Sequence, residues 1–113
     1  MWIFLRDGFS SVRAVNNHAV MLRFRRMDHC DRFAARLGVD ATEIAESDDT
    51  DYRYRFVVSR TRLAGLLAEE AQQIDYSNFK DACGCGDYRE LLSDVWGEHR
   101  HFQETEGFDA SSA

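Results

Sequence analysis

Five arginines, Arg13, Arg23, Arg25, Arg53 and Arg55, stand at odd positions of three segments whose even positions are apolar. Successive side chains of a strand point to opposite faces, so this spacing would gather all five on one face of a sheet. A guanidinium makes planar, forked contacts with phosphate or carboxylate, and such a face therefore suits an anionic partner. The plainer reading is that the arginine stems shield an open sheet face and pair with the acids of Asp40 to Asp51. The strand aromatics Phe24, Tyr52, Tyr54 and Phe56 fall on the alternate, core-facing positions, so a platform for stacking bases is expected to be mostly missing.

A second charged surface is acidic. Glu69, Glu70, Asp81, Asp87, Glu90 and Asp94 fall in helical segments, where they could imitate a phosphate backbone and engage a basic protein. Helical periodicity alone also explains them, as the solvated outside of amphipathic helices.

Other constellations are weaker. Cys83 and Cys85 with His99 and His101 are residue types that zinc prefers, but Cys-Gly-Cys departs from the usual gap of about two to four residues. His99 also falls on an apolar stripe, which suits a core histidine better. Asp28-His29-Cys30 holds an acid, a base and a nucleophile, yet neighbours on a helix point about 100° apart and cannot form a triad among themselves. Asp75, Tyr76, Asn78 and Lys80 crowd one turn, where capping, packing and solvation account for them. Ser77 lies in no nucleophile elbow, and neither a P-loop nor a dinucleotide fingerprint is present. The expectation is no catalytic residues, no cofactor and no metal.

These groups must be positioned by a small molecule. The chain has 113 residues, 44% hydrophobic, with 14 Lys plus Arg against 20 Asp plus Glu and a net charge of −6. That length suits one domain, expected over 1–102, followed by a polar, acidic, flexible tail over 103–113. No run nears the roughly 18 apolar residues of a membrane span, so neither anchor nor signal peptide is expected. Three cysteines, two of them too close to bridge, fit a reducing cytoplasm. Charge comes in blocks: Met1 to Val39 is net +4, Asp40 to Asp51 is −6, Tyr52 to Arg62 is +4, and the remainder is −8.

Trp2 to Leu5 and Phe9 to Val15 flank Asp7-Gly8, a strong turn signal, and read as a hairpin. Asn16-Asn17 leads into a third strand over His18 to Arg26, with Val20, Leu22 and Phe24 on one face. Asp28 is expected to cap a short helix ending at Gly38, and the acidic connector to hold a short strand around Ile44. Tyr52 to Val58 alternate as a strand. Ser59 or Thr61 caps a helix through Gln73, a turn from Asp75 groups Tyr76, Phe79 and Cys83, and the glycines of Cys83 to Gly86 interrupt before a helix opened by Asp87. The expected fold is α+β: an antiparallel sheet of about four strands with helices on one face, on a ferredoxin-like plan.

Met1-Trp2-Ile3-Phe4, Gly8-Phe9-x-Ser11-Val12, Asp51-Tyr52-Arg53-Tyr54-Arg55 and Ile74-Asp75-Tyr76-Ser77-Asn78-Phe79-Lys80, closed by Val95-Trp96, resemble a group of small uncharacterised bacterial proteins. The resemblance spans most of the first hundred residues and implies one compact module, with no activity or functional residue to carry over. The chain departs from the group at Cys83 to Gly86, where a longer polar helical stretch would be expected.

Blockwise charge without an assembled catalytic motif points to a non-catalytic protein–protein interaction module. Its concrete form is a small inhibitor from a phage or other mobile element, anti-CRISPR-like, aimed at host nucleic-acid or defence machinery. The alternative is a nucleic-acid-binding domain using the arginine face. An unprotected sheet edge would also admit pairing with a second copy.

Overall fold

The computed structural model describes residues 1–106 and follows the last helix by its backbone to Ser112. The chain divides into two compact units, Met1–Asp75 and the part from Tyr76 onward.

The first unit begins with strands β1 (Trp2–Leu5) and β2 (Gly8–Ala14), closed by the turn at Arg6-Asp7. Gly8 opens β2 at φ 142°, a backbone conformation that other residues rarely adopt. Strand β3 (Ala19–Phe24) completes a meander, its entry turn held by Asn16 Oδ1, which accepts from the backbone N–H groups of His18 and Ala19. Helix α1 (Met27–Leu37) then crosses the sheet and ends at Gly38, which is left-handed (φ 68°) and returns its N–H to Ala34 and Ala35 carbonyls.

The cap of α1 differs from expectation. Arg26 occupies the cap position but its side chain does not cap the helix, and Asp28 lies inside the first turn, where it pairs with Arg26 and Arg32. Its charge there still favours the positive end of the helix dipole.

The acidic connector forms a 3-10 turn over Ala41–Glu43, closed by a capping box between Asp40 and Glu43. A two-residue strand β4 (Ala45–Glu46) follows, and β5 (Tyr54–Ser59) inserts between β3 and β4. Ser59 caps helix α2 (Arg60–Gln72), its hydroxyl accepting from the Arg62 N–H.

The sheet has five strands in the order β1-β2-β3-β5-β4, every pair antiparallel. The expected count of about four is corrected to five, because the short strand expected around Ile44 forms as β4 and joins the sheet at its edge. A ferredoxin-like plan is not reproduced, because three strands precede the first helix instead of one.

Helices α1 and α2 cover one face. Leu22, Phe24 and Phe56 from the sheet and Cys30 and Phe33 from α1 are essentially inaccessible, with Val20, Val58, Leu63 and Leu66 around them. The Phe24 ring lies 5.1 Å from Phe33 and 5.4 Å from Phe56. Each such side chain contributes about 1.5–3 kcal/mol through removal from water. Arg36 ties the layers together, bonding Asp7 of the first turn at 2.7 Å, Glu69 of α2 at 3.1 Å, and Glu70.

In the second unit, Asn78 caps the short helix α3 (Phe79–Ala82), and the Tyr76 and Phe79 rings meet at 5.6 Å. Gly84 and Gly86, at φ 78° and 115°, carry the chain into α4 (Asp87–Ser112). Asp87 is the first residue of that helix and not its cap. Trp96 on α4 has Lys80 Nζ 5.5 Å and the Arg100 guanidinium 5.7 Å from its ring centre. Of the expected tail over 103–113, Gln103 to Glu106 are helical, and residues 107–113 lie outside the described residues. Among the described residues, no helix is long and apolar enough to cross a membrane.

Candidate functional site

Strand register decides what the uncovered face of the sheet presents. Trp2 pairs with Ser11, Ser11 with Arg23, Arg23 with Arg55, and Arg55 with Ala45, so these five residues form one row across all the strands. Directly paired residues share a face, and this row points away from the helices that Leu22 and Phe56 pack against. The neighbouring row sets Arg13 opposite Met21 and Met21 opposite Val57. On the other side, Phe4 pairs with Phe9, their rings 4.7 Å apart.

Arg13, Arg23 and Arg55 line a recess of about 300 Å³ together with Met21, Thr50, Asp51 and Tyr52. None of the three arginines has a carboxylate partner among the described residues. Arg23 donates to the Ser11 carbonyl at 3.3 Å and to Ser11 Oγ at 2.8 Å, Arg55 to Thr50 Oγ1 at 3.0 Å, and Arg13 to the Ala14 carbonyl at 3.1 Å. Like charges directly opposite in a sheet are destabilising, so the Arg23–Arg55 pair costs a few tenths to about 1 kcal/mol unless an anion bridges it.

The other two arginines of the sequence pattern behave differently. Arg25, just beyond β3, lies 4.4 Å from the Tyr52 ring centre and is engaged by the Asp51 carboxylate at 3.3 Å. It does not line the recess, and it is already neutralised. Arg53 lies outside the strand, bonded to Glu46 at 3.0 Å and Asp48 at 3.2 Å, with its guanidinium over Tyr54. It does not line the recess, because the chain bends at 51–53 before β5 begins and alternation does not hold there.

That same bend corrects the expectation for Tyr52. Only 8% exposed, it is buried against Arg23 and Arg25 and not among the core side chains beneath the helices, with the Arg23 guanidinium 4.8 Å from its ring centre. Phe24, Tyr54 and Phe56 do fall on the helix-covered side.

The first hairpin adds aromatics to the uncovered face that the expectation, drawn from Phe24, Tyr52, Tyr54 and Phe56, did not count. Trp2 is 71% exposed, its indole edge-on to Phe9 at 5.9 Å. The signal was present in the sequence: Phe9 shares odd parity with Ser11 and Arg13, and the tight Asp7-Gly8 turn brings Trp2 and Phe4 to the same side.

The acidic residues do not assemble comparably. Glu69 and Glu70 belong to the first unit and both bond Arg36. Asp81, in the second unit, pairs with Arg89 and Lys80. Asp87, Glu90 and Asp94 are exposed on α4.

The remaining candidates have structural explanations. His29 is buried, its Nδ1 accepting the Phe9 N–H at 3.2 Å, which leaves the proton of the neutral ring on Nε2. Desolvation lowers its pKa below the ordinary histidine value. Gly8 makes that contact feasible, since a Cβ there would lie 2.3 Å from His29 Cγ. Burial pushes the Cys30 thiol up to about 12, so it carries no thiolate at neutral pH. Asp75 bonds Arg6 at 3.3 Å, Asn78 caps α3, and Lys80 lies over Trp96. His99 is exposed, contrary to its place on the expected stripe. Among the described residues, no group of three or more His, Cys, Asp or Glu side chains could hold a metal. A larger recess of about 530 Å³ lies along α1 and α2, where Arg36 pairs with Glu69 and Arg62 also lines the wall.

The chain matches no protein-family model, no curated protein and no solved structure.

Proposed function

We propose that this protein is a non-catalytic interaction module that engages an anionic partner through the open face of its sheet. One observation carries the reading: Arg23 and Arg55 are directly opposed across β3 and β5, Arg13 joins them, and none is neutralised by a carboxylate among the described residues. Away from this recess most of the other arginines are neutralised by an acid among the described residues, Arg60 and Arg62 excepted. Arg25, Arg36 and Arg53 each hold at least one acid. Three unneutralised guanidiniums around one recess in a chain of net charge −6 make a local positive field that guides an anion to this face.

The acidic helical residues carry a docking role less well, since Glu69, Glu70 and Asp81 are already engaged by cations. The mobile-element inhibitor suggested by the sequence concerns context, and no residue here carries it. A cytoplasmic setting, where anionic macromolecules are abundant, completes the proposal.

Affinity capture from cell lysate tests the reading, with Arg23→Gln/Arg55→Gln as bait beside the unaltered protein and Arg53→Ala. The double variant should lose the partner that the other two retain. Equal capture by all three would refute the proposal.

A further inference from the structure

Resting on that reading, we infer that the anionic partner is single-stranded nucleic acid, with Arg13, Arg23 and Arg55 meeting phosphates and Trp2 stacking on a base. The argument starts from what an acidic protein segment would require. Carboxylates would be satisfied by the three guanidiniums alone and would not explain an indole that is 71% exposed. Trp2 sits in the same cross-strand row as Arg23 and Arg55, separated from Arg23 by the small Ser11. With strands about 4.8 Å apart, the indole and the Arg23 position are about 10 Å from one another. A strand of nucleic acid laid along this row meets a stacking surface at one end and positive charge toward the other.

The aromatic end is braced for that use. Phe9 is buried beneath the edge of Trp2, and Phe4 packs on Phe9, so the indole rests on a fixed support while its other surface stays open. At the other end, the Arg23 guanidinium packs on the buried Tyr52 ring, 4.8 Å from its centre. Bases in a duplex are already stacked on one another and closed to the Trp2 indole, whereas those of a single strand are free to stack on it, so a single strand fits this surface. The three guanidiniums are assigned to phosphates and the indole to a base face, which every base has, so binding is tolerant of sequence.

The test is fluorescence anisotropy with labelled oligo(dT) and oligo(U) of roughly 12 nucleotides. Matched duplex and poly-glutamate serve as competitors. Both oligonucleotides should bind at low salt and resist competition by duplex and by poly-glutamate. With three phosphates neutralised, the log of the binding constant should fall against log salt with a slope of about −2, or about fifteenfold from 50 to 200 mM. Arg23→Gln/Arg55→Gln should abolish binding, Arg55→Gln alone should weaken it severalfold, and Trp2→Ala should weaken it roughly tenfold or more. Circular dichroism verifies that each variant is folded.

Poly-glutamate competing as well as the oligonucleotide, with Trp2→Ala without effect, would overturn the nucleic-acid inference and leave the anion-binding face standing. Failure of both polyanions to bind at low salt, or full binding by the folded double variant, would overturn the inference and the reading beneath it.

Discussion

The two faces of the sheet use the same strands in opposite ways. Beneath α1 and α2, Leu22 and Phe56 are directly paired and sealed from water. One residue further along the same two strands, Arg23 and Arg55 are paired without a carboxylate between them. The first pair stabilises the fold through burial, whereas the second opposes it by charge repulsion. A sheet that tolerates the second pair is held by the first. The covered face accounts for folding, and the open face is the one we propose for contact.

Substitutions should separate the two roles, and the covered face should give the largest effects. Phe56→Ala removes a ring packed against Phe24 and leaves a cavity, so stability should fall by about 3–5 kcal/mol in urea unfolding. That is a large share of the roughly 5–15 kcal/mol typical of a domain.

Arg36→Ala should cost about 2 kcal/mol by the same measurement, because Asp7 and Glu70, both largely shielded, would lose their common partner. Oligonucleotide affinity should be unchanged, since Arg36 lies on the helix side.

A smaller effect follows from His29. Its pKa is lowered in the folded state, so between the unfolded value near 6.5 and the lower folded value the unfolded chain holds more protons. Stability is fully present above about pH 6.5 and declines as pH falls through the folded pKa. Urea titrations across that window should show the decline, and His29→Gln should flatten it.

The smallest effect on stability belongs to the open face. Arg55→Gln should leave it unchanged or raise it by up to about 1 kcal/mol, because the cross-strand repulsion is relieved. Loss of binding with no loss of stability is the signature that distinguishes this face from the other.

Much of this division can be read from local pattern. Alternation in β3 placed Leu22 and Phe24 opposite Arg23, Asp7-Gly8 marked the hairpin, Gly38 the end of α1 and Ser59 the start of α2. Where local pattern fails, the reasons are physical. Period-two alternation holds only inside a strand, and the bend at 51–53 sends Tyr52 to the arginines and Arg53 to the acids at the β4 edge. Asp28 looks like a cap, but Arg26 is the last extended residue and the helix is already under way. The row from Trp2 to Arg55 depends on register between strands far apart in sequence, and no single segment encodes it.

The most direct test of the open face as the contact surface is an NMR titration of the labelled protein with a short oligonucleotide. The account predicts shifts concentrated at the Trp2 indole N–H and at Ser11, Arg13, Arg23, Tyr52 and Arg55, with the α1 and α2 amides unmoved. Shifts centred on α1 and α2, or none at a concentration that saturates binding, would contradict it.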